Sequence, residues 1–200
     1  NLRTLKAKNT REALEFELTN IRAAWKWGLL EHVQDIPAFG QALSQFFDGH
    51  HDHEAIEMFN QAALVLNTNH SEHQKALGHL LLLQAKHAIN LGSNIDSLLE
   101  TTQRGLAILK PFNDYFGMRM GHIAMGYISR QQGNYQKALE YFEDALDLSR
   151  QHGNPQEIGN CLCWLASTKL GMNENTFATT AFLRQNLQEL YHLGDLINLA

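Results

Sequence analysis

Between Tyr135 and Leu148, apolar side chains return every three or four positions, at Tyr135, Ala138, Leu139, Phe142, Ala145, Leu146 and Leu148. That interval marks one face of an α-helix, and the pairs Gly133-Asn134 and Gly153-Asn154 on either side are turn formers. The stretch MRMGHIAMGYISRQQ before Gly133 carries a second helical pattern with Gly126 inside it. A glycine within a helix costs about 1 kcal/mol relative to alanine. The spacing therefore predicts that Gly126 lies where a neighbouring helix comes too close for any side chain, with Ala138 and Ala145 nesting opposite. The unit is a helix-turn-helix.

The same frame recurs along the chain. Ala55, Phe59 and Ala62 repeat the positions of Ala138, Phe142 and Ala145; Ile95, Leu98, Gly105, Leu106 and Ile108 form a third copy; Ala178 and Phe182 begin a fourth. The period is about forty residues, a repeat architecture in which each unit buries its apolar face only by stacking on the next. Helices are expected over 9–31, 36–48, 52–67, 71–91, 94–110, 115–132, 135–152, 155–170 and 174–191, with another starting near Gly194. The expected organisation is a single domain over 1–200. It has a leading helix in 1–35, pairs at 36–67, 71–110, 115–152 and 155–191, and the start of a further helix at 194–200. Pro37, Pro111 and Pro155 fall near helix ends, where proline is tolerated.

Gly-Asn-Tyr at 133–135 followed by the Ala138, Phe142, Ala145, Leu146 spacing resembles the second helix of a tetratricopeptide repeat, with Gly126 at that motif's small position. Ser129 replaces the motif's first-helix aromatic, and its terminal proline is absent. The resemblance implies an all-α solenoid of about four to five helix pairs with a right-handed superhelical twist. It also implies a concave groove lined by the first helix of each pair. By that resemblance the groove residues are His79, Leu82, Lys86 and Asn90 from one pair and Met120, Ile123, Tyr127, Arg130 and Gln131 from the next. Their mix of aromatic, apolar, cationic and amide groups suits a peptide or a modest polar ligand. Glu17, Asn20, Ile21, Arg22, Ala23, Ala24 and Trp27 further resemble the segment that opens the helical-repeat region of large bacterial STAND-type signal-transduction ATPases, many of them transcriptional activators. This second resemblance implies a sensor or interaction role toward a protein, a peptide or a small-molecule inducer, and toward other domains of the same polypeptide. The chain opens without Met and closes in GDLINLA like a helix just beginning, so a fragment of a longer protein is expected.

Composition narrows the classes. Hydrophobic residues make up 44% and charged residues 18% of 200, which is globular and not disordered. A net charge of -5 without clustered Lys or Arg argues against a nucleic-acid surface. No apolar run nears the roughly 18 residues of a membrane span, and the N-terminal stretch lacks an apolar signal core. Cys161 and Cys163, two apart on a helix, point to different faces and cannot bridge without strain, which fits a reducing cytoplasm.

Candidate chemistry is thin. His50, His51, Asp52, His53 and Glu54 are good metal-ligand types, but they crowd one turn without the i, i+4 helical spacing of two-histidine zinc sites; a solvated polar turn is expected. His70 and His73 read as surface or cap residues, and His87 and His122 as satisfied packing residues. Trp27 and Trp164 are expected in the core, with Trp25 at a domain junction. Neither cysteine has a paired His and acid, and no phosphate-cradling glycine loop occurs. No catalytic residue, metal or cofactor is expected. Association of copies through an apolar end is compatible with the pattern. A generic peptide scaffold without regulatory output, and more remotely a metal-dependent helical enzyme, are the other readings.

Overall fold

The structure, a computed structural model, describes residues 17–49, 51–66, 69–152, 155–172, 179–182 and 184–186. Among them the chain is all-α, with helices packed in sequence as pairs. Eight helices are defined over the described residues: α1 (Leu18–Glu31), α2 (Ile36–Phe47), α3 (Asp52–Val65), α4 (Ser71–Asn90), α5 (Ile95–Leu109), α6 (Tyr115–Gln131), α7 (Tyr135–His152) and α8 (Pro155–Gly171). Two short 3₁₀ turns, Val33–Asp35 and Lys110–Phe112, which the periodicity does not foresee, lead into α2 and out of α5. The expected helix start at 9, Ala178, most of 174–191 and the segment from 194 lie outside the described residues, as do His50, Gly153 and Asn154.

Local chemistry sets the boundaries. Asn94 and Asp114 cap α5 and α6 by accepting from the main-chain N–H groups of Asp96, Ser97 and Gly117. Gly92 and Gly133, at φ of 62° and 79°, end α4 and α6 in the left-handed region. The next residues close the motif, Ser93 N–H to Ala88 O at 3.0 Å and Asn134 N–H to Ser129 O at 2.8 Å, which satisfies carbonyls the helix leaves open. Pro37 occupies the first turn of α2 and Pro155 opens α8, positions where a missing N–H costs little.

The repeat frame is the packing frame. Ala55, Phe59 and Ala62 are buried in α3, as are Ala138, Phe142 and Ala145 in α7. A Cβ at Gly126 would meet three ring carbons of Phe142 at 2.6–2.8 Å, so the small position in α6 exists to seat that ring. In α5 the frame is kept by substitution. Leu98 and Thr102 are buried where the other copies have Ala and Phe, and Gly105 lets Leu82 of α4 come to 2.9 Å of where its Cβ would be. Each fully buried Phe contributes about 1.5–3 kcal/mol from removal of its ring from water.

The N-terminal tryptophans are reversed from expectation. Trp25 is 3% exposed and meets Phe39 and Phe59 edge-on at 5.4 and 5.9 Å, whereas Trp27 is 58% exposed. Helix α1 buries the stripe through Trp25 and Gly28, and two residues along a helix is about 200° around it, which turns Trp27 outward. Trp164 is half-buried, stacked on Phe142 at 5.5 Å.

Candidate ligand groove

Alternate helices α2, α4, α6 and α8 share one face that holds a cavity of about 360 Å³. Each contributes a stripe at helical spacing. From α2 come Gln41, Ser44 and Gln45, with Asp48 just past its end; from α4, Leu83, Lys86, Ile89 and Asn90. The apolar centre is Phe116, Met120, Ile123 and Ala124 of α6, joined by Trp164 of α8; Arg119, Gln156, Glu157, Asn160 and Cys163 complete the polar edge. An apolar floor crossed by a few convergent polar groups is the usual make-up of a ligand site.

Of the residues expected in the groove, Lys86, Asn90, Met120 and Ile123 come together in this cavity. His79 is buried instead, its ring stacked on Phe116 at 5.5 Å and its Nε2 3.1 Å from Asp114. Leu82 is 1% exposed and faces Gly105 of α5, because the α4 stripe that meets the groove passes through Leu83. Tyr127 and Arg130 continue the α6 stripe beyond the cavity, toward Trp164 at 5.9 Å and Ser167 at 3.4 Å, and Gln131 is exposed at the helix end. The expectation did not include the α2 and α8 residues, nor Leu83, Ile89, Phe116, Arg119 and Ala124. Their signal was present, since the same three-and-four spacing runs through Gln41, Ser44 and Asp48 and through Gln156, Asn160 and Cys163.

Polar pairs tie each first helix to the next. Lys75 and His79 of α4 both reach Asp114 at 3.1 Å. Burial alone would raise the Asp114 pKa, but hydrogen bonds from His79 and from the Gly117 N–H hold it well below the ordinary carboxylate range. Arg119 Nη2 meets Glu157 Oε1 at 2.8 Å, and Tyr115 donates its hydroxyl to the other carboxylate oxygen. Burial and then that bond push the Tyr115 pKa up to about 12.

The densest network sits where α2, α3 and α4 meet. His87 is fully buried, its Nδ1 2.5 Å from Asp52 Oδ1 and its Nε2 2.9 Å from Ser44 Oγ. Lys86 Nζ lies 3.2 Å from Ser44 Oγ and 3.1 Å from Asp48; Asn90 Nδ2 donates to Asp48 at 2.7 Å and Asp52 at 2.9 Å. The bonds close a ring in which neutral His87 donates from Nδ1 to Asp52 and accepts at Nε2 from Ser44, whose oxygen accepts from Lys86. Burial pushes the His87 pKa down, ahead of the opposing bond to Asp52. For Asp52, burial pushes up but the bonds from His87 and Asn90 prevail and lower it. Asp52 therefore departs from the solvated turn expected for 50–54. It is 8% exposed because it opens α3 directly under His87.

Ser44, His87 and Asp52 stand in the order of a nucleophile relay. Ser44, however, is 1% exposed and midway along α2, where the main-chain N–H groups are committed to the helix and cannot form an oxyanion hole. Asp48, Asp52 and His87 also bring three metal-capable atoms within 4.8 Å of one another. Lys86 and Asn90 already direct cationic and amide hydrogens at the same carboxylates, so the negative charge is matched from within the protein.

A larger hollow of about 490 Å³ separates α1 from α3, with Trp25, Leu29, Met58 and Ala62 among its lining and the Arg22–Glu54 ion pair beside it. Leu30 and Val65, also on this hollow, are exposed.

Residues 120–152 match the tetratricopeptide repeat family model. The fold is of that kind. A solved structure of the apo form of RapI resembles the chain with a TM-score of 0.66 at 16% identity, covering 96% of this chain and 68% of that one. A Signal Transduction ATPase with Numerous Domains protein with a tetratricopeptide repeat sensor, from Pyrococcus horikoshii, superposes with a TM-score of 0.60 at 13% identity. That likeness covers 96% of this chain and only 28% of the ATPase. At such identities the likeness is one of fold. No curated protein matches the sequence. Among the described residues no helix is long and apolar enough to cross a membrane.

Proposed function

We propose that this chain is a non-catalytic binding domain that holds a peptide or protein segment in the groove of its first helices, as the sensor or interaction part of a larger cytoplasmic regulator. The single observation that carries the reading is the cavity of about 360 Å³ shared by α2, α4, α6 and α8, one stripe from each repeat. Carboxamides suit such a ligand, because Gln41, Gln45 and Asn160 can each donate and accept and so match the two polar groups of a peptide bond, while Asn90, whose amide hydrogens go to Asp48 and Asp52, keeps its oxygen as an acceptor. Phe116, Met120 and Ile123 provide apolar area for its side chains. The regulatory part of the proposal rests on the Glu17-to-Trp27 motif and on the fold shared with a STAND protein's repeat sensor. In that setting, binding shifts how neighbouring repeats pack, since a solenoid couples its units only through their interfaces.

A peptide library selected on the folded chain tests the groove. Selected peptides should lose binding to Ile123→Glu and keep it for Leu64→Glu, a change at a residue 85% exposed outside the cavity lining. Peptides that ignore Ile123→Glu but fail on Leu64→Glu would place binding on another face.

A further inference from the structure

Four of the six large apolar side chains left exposed among the described residues, Trp27, Leu30, Leu64 and Val65, belong to α1 and α3. Those two helices flank the hollow of about 490 Å³, which shares no lining residue with the groove. Each presents it with a stripe at three- and four-residue spacing, from Arg22 to Leu30 in α1 and from Glu54 to Val65 in α3, the latter about 16 Å long at helical rise. Trp25, Met58 and Ala62 line the recess, and Leu30 and Val65 stand on it 76% and 61% exposed. One face thus carries both an apolar recess and apolar side chains of the size that fill one. Such a face is complementary to itself, as the isologous contact of a two-fold dimer requires.

The charges on the hollow have the same property. The Arg22–Glu54 ion pair bridges the two helices near their starts. Counted from that bridge, Lys26 is four residues along α1 and Glu57 three along α3, so a cation and an anion stand at nearly one level in opposite walls. Lys26 has no carboxylate partner among the described residues, and Glu57 holds only the Gln61 amide, at 3.2 Å. We propose that α1 and α3 form a homodimer interface, in which a second copy related by a two-fold axis seats its Leu30 in this hollow and sets its Lys26 against this copy's Glu57, and reciprocally. A partner of a single charge sign would meet one wall with its own sign, whereas a second copy offers each wall the opposite one. Exposed ion pairs contribute little, so the filled recess supplies the affinity while Lys26 and Glu57 set the register and the choice of partner. The interface stands apart from the peptide groove.

Light scattering on the chain, from about 1 µM to about 1 mM, tests the proposal with Lys26→Glu and Glu57→Lys taken singly and mixed. The unaltered chain should pass from the mass of one copy to that of two. Both residues are exposed, so each single variant should stay folded. Each sets like charges against one another twice across the axis, and should weaken association roughly tenfold or more. An equal mixture of the two variants should regain it, because in the mixed dimer the two substituted side chains face each other and the unchanged Lys26 and Glu57 do likewise. Leu30→Asp, which carries a charge into the apolar recess, should abolish association over the same range. A single-copy mass at every concentration would overturn the dimer. Dimers that tolerate Leu30→Asp and both charge changes would overturn this face as the interface. Single variants that lose association, with a mixture that does not regain it, would overturn the two-fold pairing of Lys26 with Glu57.

Discussion

Gly126→Ala sets two known effects against each other in one position. Alanine is favoured over glycine in a helix interior by about 1 kcal/mol, which alone would stabilise α6. The added Cβ, however, falls 2.6 Å from Phe142 Cε1 and 2.8 Å from two more ring carbons. The ring cannot simply retreat, since it is fully buried and Trp164 stacks on it at 5.5 Å with the planes 9° apart. Forcing a methyl into such a site costs about 1–3 kcal/mol, so the clash wins and a net loss of up to about 2 kcal/mol is expected. Gly28→Ala is the matched control. There the nearest atom is Ile36 Cδ1 at 3.4 Å, ordinary contact, and the propensity gain should show as an unchanged or higher stability. Urea unfolding of both variants, with Phe142→Leu added to Gly126→Ala to relieve the clash, reads the difference. A Gly126→Ala protein as stable as Gly28→Ala would refute the nested packing of α6 on α7.

Three further outcomes follow from burial and charge. The His87 pKa lies below its ordinary 6.5, so the unfolded chain binds the extra proton first; stability from this site is full above about pH 6.5 and falls as pH drops through the folded value, and His87→Gln should flatten the decline of the urea midpoint between about pH 7 and pH 5. Asp52 and Asp114, whose pKa values are lowered, add their losses only below the ordinary carboxylate value of 3.8. Trp25→Ala should cost about 3–5 kcal/mol and Trp27→Ala about 0.5 or less, measured by the same unfolding assay; equal losses would contradict the burial of α1. A thiol reagent on the native protein should titrate Cys163, which is exposed, and leave Cys161, which is buried with its pKa raised by burial, until denaturant is added.

The helices were legible because their signals are local: three- and four-residue spacing, Asn94 and Asp114 as caps, Gly92 and Gly133 as stops. The pairing was legible through Gly126, a glycine whose helical cost makes sense only against a close neighbour. What the pattern could not settle is rotation about each axis. Leu82 and Leu83 are equally apolar, and in a helix buried nearly all round, as α4 is, composition cannot say which meets α5 and which meets the groove. Trp25 and Trp27 exchanged roles for the same reason. The ring around His87 joins residues 35 to 43 apart in sequence, and only the stacking of α2, α3 and α4 brings them together.

The central claim is that a ligand lies in the trough made by the first helix of each pair. A chemical-shift map of the chain saturated with a library-selected peptide tests it most directly. The largest changes should fall on Lys86, Asn90, Met120, Ile123 and Asn160 together, from three successive repeats. Changes gathered instead around Leu30, Met58 and Val65, at the hollow between α1 and α3, would contradict it.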